Sequence, residues 1–311
     1  PLARQGEPMT EPRILFIVGP TASGKTEAVI ALSQLTPIEV ISADSRQVYR
    51  GMSIGTAKPN AHDQALVHHH IVDIVDPDES FNLAEFLRIA RATIESITAR
   101  GQTPVVVGGT GQYVWGLWEG WRVPPVPPDH RLRSELENLA ITNGSGALVE
   151  KLRSVDAEAL DGIDPRNIRR IIRAIEVSVL SGLPFSARRS KVTPAFRPVA
   201  LGILPGRDSL YRSIDNRIDT MIKAGWIQEV RLLLKNGYGP ELPSFAASGY
   251  REIAAYTEGQ LSLEEAVART KSSTHRLARS QGTWFKPSDP RIGWHDSVES
   301  LVPAALATLR S

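Results

Sequence analysis

The chain has 311 residues, 41 % of them hydrophobic, with a formal net charge of +2 and no cysteine. That length holds one large and one smaller domain. The cysteine count excludes disulfides and thiolate metal sites and fits a reducing compartment. A near-neutral balance means that any nucleic-acid surface must come from local clustering. No apolar run approaches the roughly 20 residues that span a bilayer, and the polar, proline-bearing segment 1–12 has no signal-peptide core, so a cytoplasmic protein without membrane association is expected. Residues 1–10 read as a disordered leader, with Met9 as the natural start.

The first apolar run, Ile14–Val18, reads as a buried strand. It runs into Gly19-Pro20-Thr21-Ala22-Ser23-Gly24-Lys25-Thr26, a full G-x-x-x-x-G-K-T motif, and then into a helical stretch, Glu27–Leu32. Strand, glycine loop and helix in that order are the context that gives the motif its meaning. The backbone N–H groups from Gly19 through Thr21, Ala22, Ser23 and Gly24, with the positive end of the helix, make an anion cradle. Lys25 adds a charge for the outer phosphate oxygens, and the Thr26 hydroxyl is placed to hold Mg²⁺. The motif predicts binding of a di- or triphosphate and leaves open what is done with it.

Further strands are expected at 38–42, 70–75 and 104–108. A helix at 81–100 is expected, capped by Ser80 and ended by Gly101. This alternation predicts an α/β doubly wound parallel sheet of P-loop type, with ligands at the carboxyl ends of the strands. The pattern breaks at Pro124–Pro128, a stiff hinge. Helical stretches follow at 129–142, 146–153, 156–161 and 165–181, and a strand returns at 199–204. Residues 123–196 therefore read as a mainly helical insertion, with 11–122 and 197–311 forming the core. Further helices are expected at 208–236, 246–257 and 263–284.

Charge is uneven. Between Arg166 and Arg197 there are eight basic residues against one acid, Glu176. Between Arg269 and Lys286 there are five basic residues and no acid. Two such patches on a chain with a phosphate loop favour a nucleic-acid partner over simple solvated helix faces.

Asp44 directly follows the strand 38–42, where a carboxylate can ligate Mg²⁺ or accept a proton. Gly108-Gly109-Thr110-Gly111 ends the strand 104–108, and Thr110 can donate to a leaving oxygen. No acid closes Val105-Val106-Val107, where a hydrolysing P-loop protein often holds its metal; Asp73 and Asp76 are the substitutes on offer. His68-His69-His70 leads into a strand in which neighbours face opposite ways, so convergent metal ligands are not expected there.

With these residues in hand, the chain resembles the tRNA dimethylallyltransferases over nearly all of 13–287. The resemblance rests on the P-loop, Ser42-Ala43-Asp44-Ser45-Arg46-Gln47-Val48-Tyr49 and Met52–Pro59, and on Gly108–Gly111. It continues with Asp164-Pro165-Arg166-Asn167, Gly249-Tyr250-Arg251 and Gln281-Gly282-Thr283-Trp284. Three positions, Ser213, Glu252 and Ser280, depart from the family's usual residues. The resemblance implies that the P-loop grips the pyrophosphate of dimethylallyl diphosphate rather than ATP. The prenyl group then goes to N6 of the adenosine 3′ of the anticodon, flipped into a channel.

On that reading Lys25, the loop amides, Thr110, Arg217 and Mg²⁺ held through Thr26 absorb the charge of the departing diphosphate. Asp44 takes the proton of the amine as general base. Contact with the tRNA anticodon stem-loop is expected from Asp44, Ser45, Arg46, Gln47, Arg169, Arg170, Arg173, Gly249, Tyr250, Arg251, Arg276, Arg279 and Gln281. The protein is expected to be a monomer. Two rivals use the same crevice: an isopentenyltransferase acting on free AMP or ATP, and a P-loop small-molecule kinase. The basic insertion argues against the first and the missing acid after Val107 against the second.

Overall fold

The computed structural model describes residues 12–123, 126–188 and 191–310. The expected leader, residues 1–10, and Pro124 and Pro125 of the expected hinge lie outside them. The chain divides into two compact units. One comprises the residues up to Trp118 and those from Pro194 onward; the other is Glu119–Thr193.

The larger unit begins with β1 (Arg13–Val18), α1 (Lys25–Ser33), β2 (Ile38–Ser42), α2 (Ala61–Leu66), β3 (His69–His70), α3 (Leu83–Ala99), β4 (Thr103–Gly108) and α4 (Gly111–Trp118). The smaller unit holds α5 (His130–Asn143), α6 (Ser145–Asp156) and α7 (Ile168–Ser181). The larger unit resumes with β5 (Arg197–Ile203), α8 (Arg207–Lys223), α9 (Trp226–Lys235), α10 (Tyr250–Thr257), α11 (Leu263–Trp284), β6 (Ile292–His295) and α12 (Val298–Arg310).

The six strands form one parallel sheet in the order β3-β2-β4-β1-β5-β6. β1 is central, so both its faces are buried, and its run Ile14 to Val18 is apolar throughout. Leu15 and Ile17 pack with Val29 and Leu32 of α1 and with Leu301 and Ala305 of α12. Phe16 faces the other way, meeting Trp118 at 5.3 Å between ring centroids. The P-loop follows β1 at the carboxyl end of the sheet, where Ala43 and Gly109 also leave β2 and β4.

In the smaller unit, α5, α6 and α7 pack around Leu136, Leu148, Leu152, Ile171, Ile172 and Ile175. Asn167 caps α7 through Arg170 N at 3.2 Å, and Gly182, at φ +66°, ends it.

Local chemistry moved several expected boundaries. The strand expected over 70–75 stops at His70: Ile71 and Asp73 take φ of +63° and +55°. The chain then turns back to pair with Gln47 and Val48, through Asp73 N to Gln47 O and Ile74 N to Val48 O. Asn82, not Ser80, caps α3, and Glu85 closes the capping box on Asn82 N at 2.9 Å. The helix expected over 208–236 is two helices, broken at Gly225 (φ +103°). The stretch expected over 246–257 is a 3-10 turn at Pro243–Ala246 followed by α10. No expectation covered β6 or α12; β6 adds an edge strand and α12 covers one face of the core.

Candidate active site

The P-loop is held open by its backbone. Gly19 has φ +146°, and a Cβ there would stand 2.4 Å from the Ile203 carbonyl oxygen. Ala22 adopts φ +63°, and Gly24, at φ +98°, precedes α1 without a side-chain cap. The first amides of α1 therefore remain available to an anion. Lys25 is half-buried and donates to the carbonyls of Gly19 (3.0 Å) and Pro20 (2.6 Å). Burial, then the Arg217 charge, lowers its pKa to about 7, against an opposing pull from Asp44. Arg217, on α8, has no hydrogen-bonding or ion-pair partner among the described residues. Its own pKa is lowered by burial. Two cations repelling each other across a half-buried space define a site that an anion would relieve.

Two cavities meet here. One is lined by Gly24, Lys25, Thr26 and their loop; the other, of about 390 Å³, is lined by Ser45, Arg46, Thr110 and apolar residues including Ile214, Met221 and Trp226. Asp44, Arg217, Thr21 and Gln281 line both. Asp44 accepts from Arg46 N at 2.8 Å, which turns the chain and holds the carboxylate at the end of β2. Thr110 accepts from Ser45 N at 3.0 Å, so the ends of β2 and β4 brace each other. Along α11, Thr274, Leu277, Gln281 and Trp284 line the second cavity at helical spacing, one stripe of that helix.

Other residues expected at the site have different roles. Gln281, a residue expected at the tRNA, lines both cavities and also braces the loop. It is buried, accepts from Thr21 N at 2.8 Å and donates to Gly109 O at 3.2 Å, clamping the P-loop to the end of β4. Gln47 accepts from Ser42 Oγ at 2.9 Å and donates to Ala57 O at 3.1 Å, so its amide is spent inside the protein. Tyr250 is fully buried, with its hydroxyl donating to Glu229 at 2.7 Å, and cannot touch RNA. A Cβ on Gly249 would strike Trp226 at 2.2 Å, so this glycine serves close packing. Arg251 is exposed and donates to Pro240 O. Arg276 and Arg279 are exposed on α11; Arg279 donates to the Tyr211 hydroxyl at 3.0 Å. Arg46 donates to Pro243 O at 3.0 Å.

In the smaller unit Arg169 and Arg170 are exposed on α7. Arg173 is turned inward: it donates to Val126 O at 2.8 Å and pairs with Glu176, which is fully buried and also held by Arg133 and by Asp129 N. Asp73 and Asp76, the substitute acids, pair with Lys58 and Arg50 and line neither cavity.

Glu229 is a structural anchor that no sequence expectation covered. From α9 it accepts from Ser53 N (2.8 Å), Ile54 N (2.7 Å), Gly55 N (3.3 Å) and the Tyr250 hydroxyl, pinning the 52–55 turn that carries Gly55 to the cavity wall. A glutamate inside an amphipathic helix carries no sequence signal for a loop 176 residues away in the chain.

A parallel sheet, a lysine-bearing loop with free helix amides and an adjoining acceptor-sized cavity define a P-loop protein of the group-transfer class. Residues 47–288 match the model of the IPP transferase family, and residues 12–71 match that of the isopentenyl transferases. The chain is 45 % identical to a tRNA dimethylallyltransferase of Herpetosiphon aurantiacus, over 91 % of this chain and 90 % of the relative. It is 48 % identical to one of a Roseiflexus species, over 88 % and 90 %. The solved tRNA isopentenylpyrophosphate transferase of Bacillus halodurans superposes with a TM-score of 0.69 at 37 % identity, covering 96 % of this chain and 97 % of that one. A eukaryotic dimethylallyltransferase solved while acting on tRNA reaches 0.75 at 26 % identity, over 89 % and 70 %. The chain belongs to the tRNA dimethylallyltransferase (IPP transferase) family.

Proposed function

We propose that this prenyltransferase moves the dimethylallyl group of dimethylallyl diphosphate to N6 of the adenosine 3′ of the anticodon in tRNA, releasing diphosphate. The observation that carries the reading is that Asp44 and Arg217 line both the phosphate-loop cavity and the cavity beside it. One side suits a diphosphate and the other a flipped base, with a carboxylate between them.

Breaking the allylic C–O bond puts negative charge on diphosphate, which the amides of Gly24 to Thr26, Lys25 and Arg217 stabilise. Adenine N6 is a weak nucleophile, and Asp44 accepts its proton as the C–N bond forms. The Thr26 hydroxyl supplies a hard oxygen donor on the wall of the phosphate-loop cavity, where it would hold Mg²⁺. Bound there, Mg²⁺ adds Lewis-acid neutralisation of the leaving group. Arg169, Arg170, Arg276 and Arg279 are exposed, and their positive charges suit RNA phosphates. The enzyme acts as a monomer in the cytoplasm on this reading; among the described residues, no helix is long and apolar enough to cross a membrane. The free-nucleotide and kinase readings are not favoured: the Herpetosiphon and Roseiflexus relatives are tRNA dimethylallyltransferases.

The test is nucleoside mass spectrometry of tRNA incubated with protein, Mg²⁺ and dimethylallyl diphosphate, with AMP and ATP as rival acceptors. One prenylated adenosine in tRNA is expected, and no product on free nucleotides. Asp44→Ala should slow turnover by about 10²–10⁴ while diphosphate affinity stays near wild type. Prenylated AMP, or loss of affinity with normal turnover, overturns the acceptor or the role of Asp44.

A further inference from the structure

A second cluster of chemistry-bearing side chains lies at the other end of the strands, at the open edge of the sheet. Glu39 is the second residue of β2, whereas Asp44 lies two residues past that strand's last, roughly 15 Å further along. β3 is the edge strand, registered with Val40 opposite His69 and Ile41 opposite His70. The ladder continues one step back, where Val40 N donates to His68 O at 2.8 Å. His68 and His70 are two residues apart, so they share a face, and His69 points to the other. His69 is buried, with Nδ1 against Val67 O at 2.8 Å. Histidines 68 and 70 face the same way as Glu39, which corrects the expectation that this run could not converge. The alternation that separates neighbours brings next-but-one residues together, and the third group comes from the adjacent strand.

We propose that Glu39, His68 and His70 form a binding site for one divalent cation of the Zn²⁺ class. Their ligating atoms all lie within 4.8 Å of one another. His70 Nε2 is 2.6 Å from Glu39 Oε2, and the His68 and His70 rings lie edge to face with centroids 4.2 Å apart. Bonds of 2.0–2.1 Å to a tetrahedral ion place ligand atoms about 3.3 Å apart. Rotation of the His68 ring, which is exposed, closes the remaining gap without moving the strands. Two imidazoles and one carboxylate are the donor set of three-ligand zinc sites, with water filling the fourth position on the open side.

Arg100 donates to both oxygens of Glu39, at 2.9 and 2.7 Å. It fixes the carboxylate plane from behind, as outer partners of metal ligands do, and its charge weakens the site. Each Glu39 oxygen has a second lone pair, so Oε2 can serve the ion while it still accepts from Arg100. On metal binding the Nε2 proton of neutral His70 is replaced by the ion and the ring takes its other tautomer. The site would staple β3 to β2 just before Ile71 and Asp73 turn the chain back to Gln47.

The test uses full-length protein without an affinity tag, stripped with chelator and titrated with Zn²⁺ by calorimetry and with Co²⁺ by visible absorption. One equivalent is expected to bind, with Co²⁺ bands of four-coordinate intensity. His68→Ala, at an exposed position, should weaken Zn²⁺ at least tenfold. His62→Ala, an exposed histidine on α2, should leave affinity unchanged. No stoichiometric binding, or equal affinity in wild type and His68→Ala, overturns the site and leaves the cluster as the Arg100–Glu39 ion pair with His70 hydrogen-bonded to it.

Discussion

Lys25 shows how far a residue's surroundings set its chemistry. Its ammonium donates to the Gly19 and Pro20 carbonyls, and burial beside Arg217 brings its pKa to about 7. A bound diphosphate favours the charged form, so the bound pKa lies above the free one. The lysine's contribution to affinity is therefore full below pH 7 and declines above it, by up to tenfold per pH unit, until the bound pKa is reached. Binding should therefore take up a larger fraction of a proton through Lys25 at pH 8 than at pH 6. Calorimetry in buffers of different ionisation enthalpy measures this. The difference should vanish in Lys25→Ala, whose diphosphate affinity should also be lower. At the same scale, the family departure at Glu252 is benign: its carboxylate accepts from Gly249 N at 3.2 Å, a helix-capping role that glutamine fills equally.

At the scale of elements, two helices show charge turned inward. α9 sends Glu229 across to three amides of the 52–55 turn and to Tyr250, whose hydroxyl pKa is raised well above normal by burial and by that carboxylate. Glu229→Ala should cost about 2–4 kcal/mol of stability, because several donors lose their acceptor at once. Glu229→Gln, which keeps one acceptor oxygen, should cost less. Thermal unfolding of the three proteins orders them, and equal midpoints would show that the turn holds itself. α7 divides its arginines in the same way: Arg169 and Arg170 face solvent, while Arg173 serves the buried Glu176.

For the whole molecule, this division of labour on α7 separates folding from recognition. Arg169→Ala with Arg170→Ala should weaken tRNA binding and flatten its salt dependence. The log–log slope should fall by about 0.7 for each RNA phosphate that is no longer neutralised. Arg173→Ala should instead lower stability by about 1–3 kcal/mol, since Glu176 loses one of its charged partners. Binding isotherms at several salt concentrations, with unfolding curves alongside, distinguish the two. Parallel slopes for the double variant and wild type would move the RNA surface to Arg276 and Arg279.

Local rules sufficed for the alternating strands and helices, the phosphate loop and Asp44 at a strand end, because each depends on neighbours in the chain: apolar runs, glycine spacing and cap residues. They also placed the basic segment on a helix. Only the tertiary structure decided which polar side chains face ligand and which are consumed inside. Gln281 reaches the P-loop from 260 residues away, Glu229 reaches a turn from 176 away, and Tyr250 is buried against Glu229 rather than offered to RNA. It likewise brought Glu39 within hydrogen-bonding distance of His70, 31 residues on, across a strand pair whose register no local pattern reveals. A polar residue's role depends on which buried donor or acceptor meets it, and that partner is chosen by packing rather than by sequence distance.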